Sequence, residues 1–154
     1  TDLADEGCWL GPIKSDTDAA SRNVLVFRLA DGSRVIDAEW VQTNLARVWS
    51  GIQFLRLANW KVAWDGTRGE LSVADASGMK VYGTEFFMEA IRLMMEVIGP
   101  RSYLTKGSSN EVLGGHLENI YRSLLILTFG GGTNEIQRDL IGLFGLGLPR
   151  VPRM

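Results

Sequence analysis

Two long runs of apolar residues at helical spacing dominate the sequence and limit what it can fold into. In the first, Ile36, Trp40, Leu45, Val48, Trp49, Ile52, Leu55 and Trp60 recur mostly three to five residues apart, with Val48 and Trp49 adjacent, which predicts a long helix over residues 38–64. "DGTRGE" then interrupts the pattern, and Gly66 and Gly69 are natural stops. In the second, Met79, Tyr82, Phe86, Ala90, Leu93 and Val97 predict a helix over 72–98, with Ser72 as N-cap. Gly99-Pro100 ends it, because proline cannot continue the hydrogen-bond ladder. Gly78 and Gly83 lie inside the second run, where each costs about 0.5–1 kcal/mol relative to Ala, so a neighbour packed close to the backbone is expected there.

Two shorter helices follow. "RSYLTKGSSNEVLGG", residues 101–115, is a loop rich in Ser, Gly and Asn. A third helix over 116–128 carries Leu117, Ile120, Tyr121, Leu124, Leu125 and Leu127, and a fourth over 134–144 carries Ile136, Leu140, Ile141 and Phe144. The expected fold is all-α, a four-helix bundle over residues 38–148, with an N-terminal segment 1–37 and a C-terminal tail 149–154. The N-terminal segment has a short β-branched run and an Asp31-Gly32 turn but no long helical pattern.

Composition narrows the function classes. The chain has 154 residues, enough for one domain with a core, and a formal net charge of −2, which offers no basic field for nucleic acid. No apolar run reaches the roughly 18 residues that a membrane span needs. The start, "TDLADEGCWL", lacks the basic and apolar regions of a signal peptide. Cys8 is the sole cysteine, so no intrachain disulfide forms and a reducing, cytoplasmic setting is expected. His116 is the sole histidine and has no cluster of metal-ligand types around it. The four tryptophans at 40, 49, 60 and 64 are expected in the core or at a subunit interface.

One stretch suggests chemistry. In "FGGGTNEIQR", residues 129–138, Gly130, Gly131 and Gly132 separate the third helix from the fourth. Glycines allow backbone conformations that a Cβ forbids and allow another molecule close to the main chain. The next helix presents free N–H groups and partial positive charge at its start, which suits a phosphate. Thr133 or Asn134 would cap it, and Asn134 with Gln137 has capping-box spacing. Taken alone, such a stretch between helices is more often a structural joint than a ligand face.

The longer string "LTFGGGTNEIQRDLIGLFGLGLPR", residues 127–150, resembles the C-terminal signature of acyl-CoA dehydrogenases, where Gly-Thr-x-x-Ile-x-Arg opens the last helix. Gly132, Thr133, Ile136 and Arg138 match that motif, and Glu135 and Gln137 agree with it. "DAEWVQTNLARVWSGIQFLRL" and "EAIRLMMEVIGP" are similar to earlier stretches of the same C-terminal domain, in the same order. The resemblance covers residues 28–150 and is closest to the actinobacterial branch, whose members work in fatty-acid or sterol side-chain degradation.

It implies a four-helix bundle that contacts FAD and forms homo- or hetero-oligomers. The complete enzyme would remove hydrogens from the α and β carbons of an acyl-CoA and pass electrons to an electron-transfer flavoprotein. Carried over residue by residue, the cofactor contacts would be Arg28, Gly131, Gly132, Thr133, Asn134 and Glu135. Four positions in three motifs depart from the family pattern. Gly131 stands where many members carry the catalytic glutamate, so no catalytic residue is assigned. Asp31 replaces the aromatic of an Arg-x-x-Phe-Gly motif. Glu96 and Pro100 replace the amide and second glycine of a Gln-x-x-Gly-Gly turn. Two functions are therefore expected: the FAD-contacting part of an acyl-CoA dehydrogenase, or a non-catalytic oligomerisation module or partner subunit that binds no flavin.

Overall fold

A computed structural model of the chain describes residues 32–150 and the backbone of two short strands, β1 (Trp9–Leu10) and β2 (Phe27–Arg28). The chain divides into two compact units, Thr1–Ala46 and Arg47–Met154. In the first, β1 and β2 pair antiparallel, with Trp9 opposite Arg28 and Leu10 opposite Phe27. A single 3₁₀ turn, Val35–Asp37, follows, with Arg34 bonded to Asp37 through both ends of its guanidinium (2.8 and 2.6 Å). The long helix α1 (Glu39–Thr67) starts in this unit and continues through the second.

The second unit is all-helical: the rest of α1, then α2 (Val73–Ile98), α3 (His116–Leu124) and α4 (Asn134–Gly145). α1 runs three residues past the predicted end at 64, through Gly66, and stops before Gly69. Gly69 turns left-handed (φ +70°), and the Glu70 amide closes back on the Asp65 carbonyl at 2.9 Å. Ser72 then caps α2, its hydroxyl accepting from the amides of Ala74 (3.1 Å) and Asp75 (3.4 Å). Antiparallel contact of the two helices follows from the pairs that meet: Gly51 with Phe86, Leu55 with Gly83, Phe54 with Tyr82 and Lys61 with Asp75.

The buried face of α1 differs from the predicted stripe. Val41, Asn44, Gly51 and Leu55 are buried, whereas Trp40, Trp49, Ile52, Trp60 and Trp64 are exposed. At about 100° per residue, Trp49, Trp60 and Trp64 lie about 160–220° round from Gly51, on the opposite side of the helix. The physical reason is Gly51. A Cβ there would sit 2.0 Å from Phe86 Cε2, so its bareness admits the α2 ring and turns that side of α1 inward. Of the two glycines of α2, only Gly83 fits the expected close neighbour. A Cβ there would meet Leu55 at 3.6 Å, and one at Gly78 would meet nothing within 4 Å.

α2 is the central element. Ala90, Leu93, Met95 and Ile98 are buried along it, and its C-terminus is closed by Gly99 and by the buried Ser102, whose hydroxyl donates to the Met95 (3.1 Å) and Gly99 (2.6 Å) carbonyls. α4 lies antiparallel to it: Asn134 meets Lys80 and Thr84, and at the other end Gly145 meets Ala74. α3 is shorter than predicted. It starts from two left-handed glycines, Gly114 (φ +62°) and Gly115 (φ +68°), and after Leu124 tightens into a 3₁₀ turn, Leu125–Thr128. The observed fold is thus the expected all-α bundle of four helices, with one two-stranded β pair among the described residues.

Candidate flavin-facing joint

The joint between α3 and α4 is built from backbone geometry. The amides of Phe129 and Gly130 both return to the Ile126 carbonyl at 3.0 Å, ending the 3₁₀ turn. Gly131 (φ +71°) and Gly132 (φ +93°) then take the left-handed conformations that reverse the chain. Thr133 is extended (φ −63°, ψ 156°) and caps α4, its hydroxyl accepting from the Ile136 amide at 3.4 Å. Thr133, not Asn134, is therefore the N-cap. Gln137 does not close a capping box either: its Nε2 donates to the Gly131 carbonyl at 2.8 Å and pins the joint from outside. A Cβ on Gly132 would lie 2.9 Å from that same Nε2.

The predicted contact residues separate into two groups. Gly131, Gly132, Thr133 and Glu135 gather at the start of α4, with both glycines and Glu135 exposed. A Cβ on Gly131 would meet nothing within 4 Å, so its backbone faces open space. The Glu135 carboxyl is held below the usual carboxylate range, chiefly by its own backbone amide and then by the Thr133 hydroxyl. A negative charge is thus favoured at this helix start. Asn134 turns the other way. It is 4% exposed and spends its side chain on α2, with Nδ2 donating to Thr84 Oγ1 and to Glu85 Oε1, both at 3.1 Å. The side chain of Arg28 and all of Asp31 lie outside the described residues.

Three residues that the sequence reading passed over complete the surroundings. Lys80 Nζ donates to Asn134 Oδ1 at 2.6 Å and to the Thr128 carbonyl at 3.3 Å, and Glu85 accepts from Arg138 at 2.5 Å. The periodicity gave no signal for them: Lys80 and Thr84 lie about 110–150° round α2 from its predicted apolar stripe. Lys80 and Thr84 also line a groove of about 540 Å³ with Ile52, Leu55, Met79, Phe87 and Leu127. Among the described residues no group of His, Cys, Asp and Glu is arranged to hold a metal ion, and no helix is long and apolar enough to cross a membrane.

A four-helix bundle whose last helix opens at a Gly-Gly-Thr joint defines a class, the C-terminal domain of acyl-CoA dehydrogenases. The description of that domain matches residues 20–145, and the chain belongs to this family. It is 51% identical over 127 residues to acyl-CoA dehydrogenase FadE26 of Mycobacterium tuberculosis (strain ATCC 25618 / H37Rv), covering 80% of this chain and 32% of that protein. It is 34% identical over 155 residues to FadE29 of the same organism, covering 99% of this chain and 39% of that protein. Among solved structures it is similar to the ChsE4-ChsE5 complex from Mycobacterium tuberculosis, with 52% identity, a TM-score of 0.74, and coverage of 80% of this chain and 32% of that one. It is also similar to the Tcur3481-Tcur3483 steroid ACAD, with 37% identity, a TM-score of 0.72, and coverage of 76% and 30%. The mycobacterial relatives agree with the actinobacterial branch that the motifs suggested. The chain spans about a third of the length of the relatives it matches. The family is generally FAD-dependent.

Proposed function

We propose that this bundle is the C-terminal, FAD-contacting and subunit-joining part of an acyl-CoA dehydrogenase that introduces an α,β double bond into a sterol-derived acyl-CoA. One observation carries the flavin reading: two exposed left-handed glycines, open to solvent, lead directly into a helix start capped by Thr133. The residues fit a nucleotide, because the backbone of Gly131 is bare and the α4 N-terminus favours negative charge. FAD, when bound, supplies the hydride acceptor of the family's reaction. Gly131 and Gly132 give it room, the Thr133 hydroxyl and the first α4 amides orient it, and Arg28 contributes a cation. Gly131 itself holds no proton, so the base of the reaction is carried elsewhere. The sterol class is supported by the likeness to the steroid enzyme, and the electron-transfer flavoprotein is the electron acceptor expected from the family.

In the flavin-bearing assembly that carries this bundle, Thr133→Val keeps the shape of the side chain and removes its hydroxyl. FAD binding should weaken by about 1 kcal/mol, one hydrogen bond's typical contribution. Gly132→Val should weaken it further, because a β-branched residue at φ +93° is strained and meets Gln137. Titration calorimetry with FAD measures both, and unchanged affinity in Thr133→Val would reduce the stretch to a joint.

The second reading, an oligomerisation module without flavin, is favoured by the exposed face of α1. Trp49, Leu57, Trp60 and Trp64 lie along it, each about 60% exposed. Apolar area of this extent on one face marks a contact surface. The proposed partner is another acyl-CoA dehydrogenase chain, like or unlike. Light scattering at micromolar concentration should report an assembly, and Trp60→Glu with Trp64→Glu should shift it to the monomer. A monomer before any substitution would refute the subunit-joining role.

A further inference from the structure

Five residues, Phe129–Thr133, separate the end of the 3₁₀ turn from the first turn of α4, and a single side chain from α2 reaches both banks. Lys80 Nζ donates to the Thr128 carbonyl on one bank and to Asn134 Oδ1 on the other, at 3.3 and 2.6 Å. Asn134 stands at the first position of a helix whose neighbours Thr133 and Glu135 point outward, yet its own side chain is almost fully buried. Burying an amide is unfavourable unless it is hydrogen-bonded, and the partners of this one, Lys80, Thr84 and Glu85, all belong to α2. Arg138, one turn further along α4, bonds Glu85 at 2.5 Å and closes the set. The separation of the two banks is thus fixed by α2, and so is the presentation of the Gly131 and Gly132 backbone between them.

We propose that Lys80 is a positioning residue for the cofactor face: it latches both banks of the glycine joint and thereby sets where the joint and the first turn of α4 meet the flavin nucleotide. This rests on the flavin reading above and adds to it the residue that holds the site in place. Lys80 also acts electrostatically on the same spot. After the stronger effects of the backbone amide and the Thr133 hydroxyl, Arg138 and Lys80 both help to hold the Glu135 carboxyl low, so both place positive potential at the helix start. The latch lies on a different element from every motif residue of the joint, which is why a scan of the motif alone passes over it.

The test uses the flavin-bearing assembly and free FAD as probe. Lys80→Met keeps length and apolar stem and removes the donors. It should weaken FAD binding about ten- to a hundredfold, as expected for lost hydrogen bonds to a charged group. Lys80→Arg should recover most of that affinity, and it should restore the visible circular dichroism of the bound flavin, which a purely structural role would leave unmoved. Asn134→Ser shortens the other end of the bond and leaves the Thr133 cap in place, so it should weaken FAD by a similar factor even if Lys80→Met fails to fold. The double variant Lys80→Met/Asn134→Ser should bind no worse than the weaker single, because both remove one interaction. Affinity within twofold of the parent for both single variants, with an unchanged flavin signal, overturns the latch and leaves the flavin reading standing. A parent assembly that binds no FAD overturns the flavin reading, and the latch with it.

Discussion

Gly115→Ala should cost the fold about 3 kcal/mol, the largest single-residue effect expected in this chain. Two terms add. Gly115 is left-handed (φ +68°), which costs a residue with a Cβ about 1–2 kcal/mol. The new Cβ would also stand 2.3 Å from the Lys106 amide nitrogen and 2.8 Å from the Thr105 carbonyl carbon. These are backbone atoms, so relief requires the loop itself to shift, an overpacking cost of about 1–3 kcal/mol. The adjacent Gly114 isolates the second term. Its φ is +62°, nearly the same, but its Cβ would meet nothing closer than His116 Cδ2 at 3.8 Å. Gly114→Ala should therefore cost only the conformational term, about 1–2 kcal/mol. Thermal melts would read the contrast as a drop of about 6–12 °C against about 2–8 °C, at the 2–4 °C per kcal/mol usual for chains of this size. Equal drops would mean that the 105–106 backbone yields freely. The consequence extends beyond stability, because Gly115 starts α3, and the far end of that segment delivers Thr128 to Lys80.

The second large effect is expected at the crossing of α1 and α2. Gly51→Val puts a branched side chain where Phe86 Cε2 would be 2.0 Å from its Cβ. The Phe86 ring is itself stacked on Tyr82 at 5.8 Å and packed beside Phe87 at 5.9 Å, so its escape is limited. Overpacking of about 2–3 kcal/mol outweighs the few tenths gained by leaving glycine for valine within a helix. The pair Gly51→Val/Phe86→Ala should be less destabilised than the sum of its single changes by about 1 kcal/mol, since one substitution vacates the space the other fills. Urea denaturation of the four species measures that coupling. Strict additivity would show that α1 and α2 part without regard to this contact.

These two sites also show what the sequence carries openly and what it hides. Helix ends are legible because their chemistry is local. Ser72 caps α2, Gly99-Pro100 stops it, and α4 runs from Asn134 to Gly145, one residue beyond the predicted end. The Gly-Gly-Thr joint was legible for the same reason, since left-handed glycines and a threonine cap lie side by side in the chain. Partnership between elements is not local. Trp49 and Trp60 sit six and five residues from Leu55, about 120–140° round the helix from it, and the inward side is marked by a glycine, Gly51, whose space the Phe86 ring fills. Counting apolar residues cannot find an inward face whose defining feature is an absent side chain. Asn134 looked like an outward cap or ligand contact, and only the position of Lys80, 54 residues earlier, shows why it is turned inward.

The placement of the indoles has a spectroscopic consequence. Four of the five tryptophans lie on α1, and every one of these is more than half exposed. Ultraviolet emission from this protein is therefore dominated by one helix seen from its wet side, with α3, α4 and the glycine joint nearly dark. The emission maximum should lie toward the red, where hydrated indole emits. It should move to shorter wavelength only when something settles on that side of α1. Loosening of the α3–α4 half would pass unnoticed in the same trace and emerge in far-ultraviolet dichroism, which counts all the helices. One probe of a melting experiment thus follows α1 and the other the whole bundle, and any gap between their midpoints measures how independently α1 comes apart from the rest.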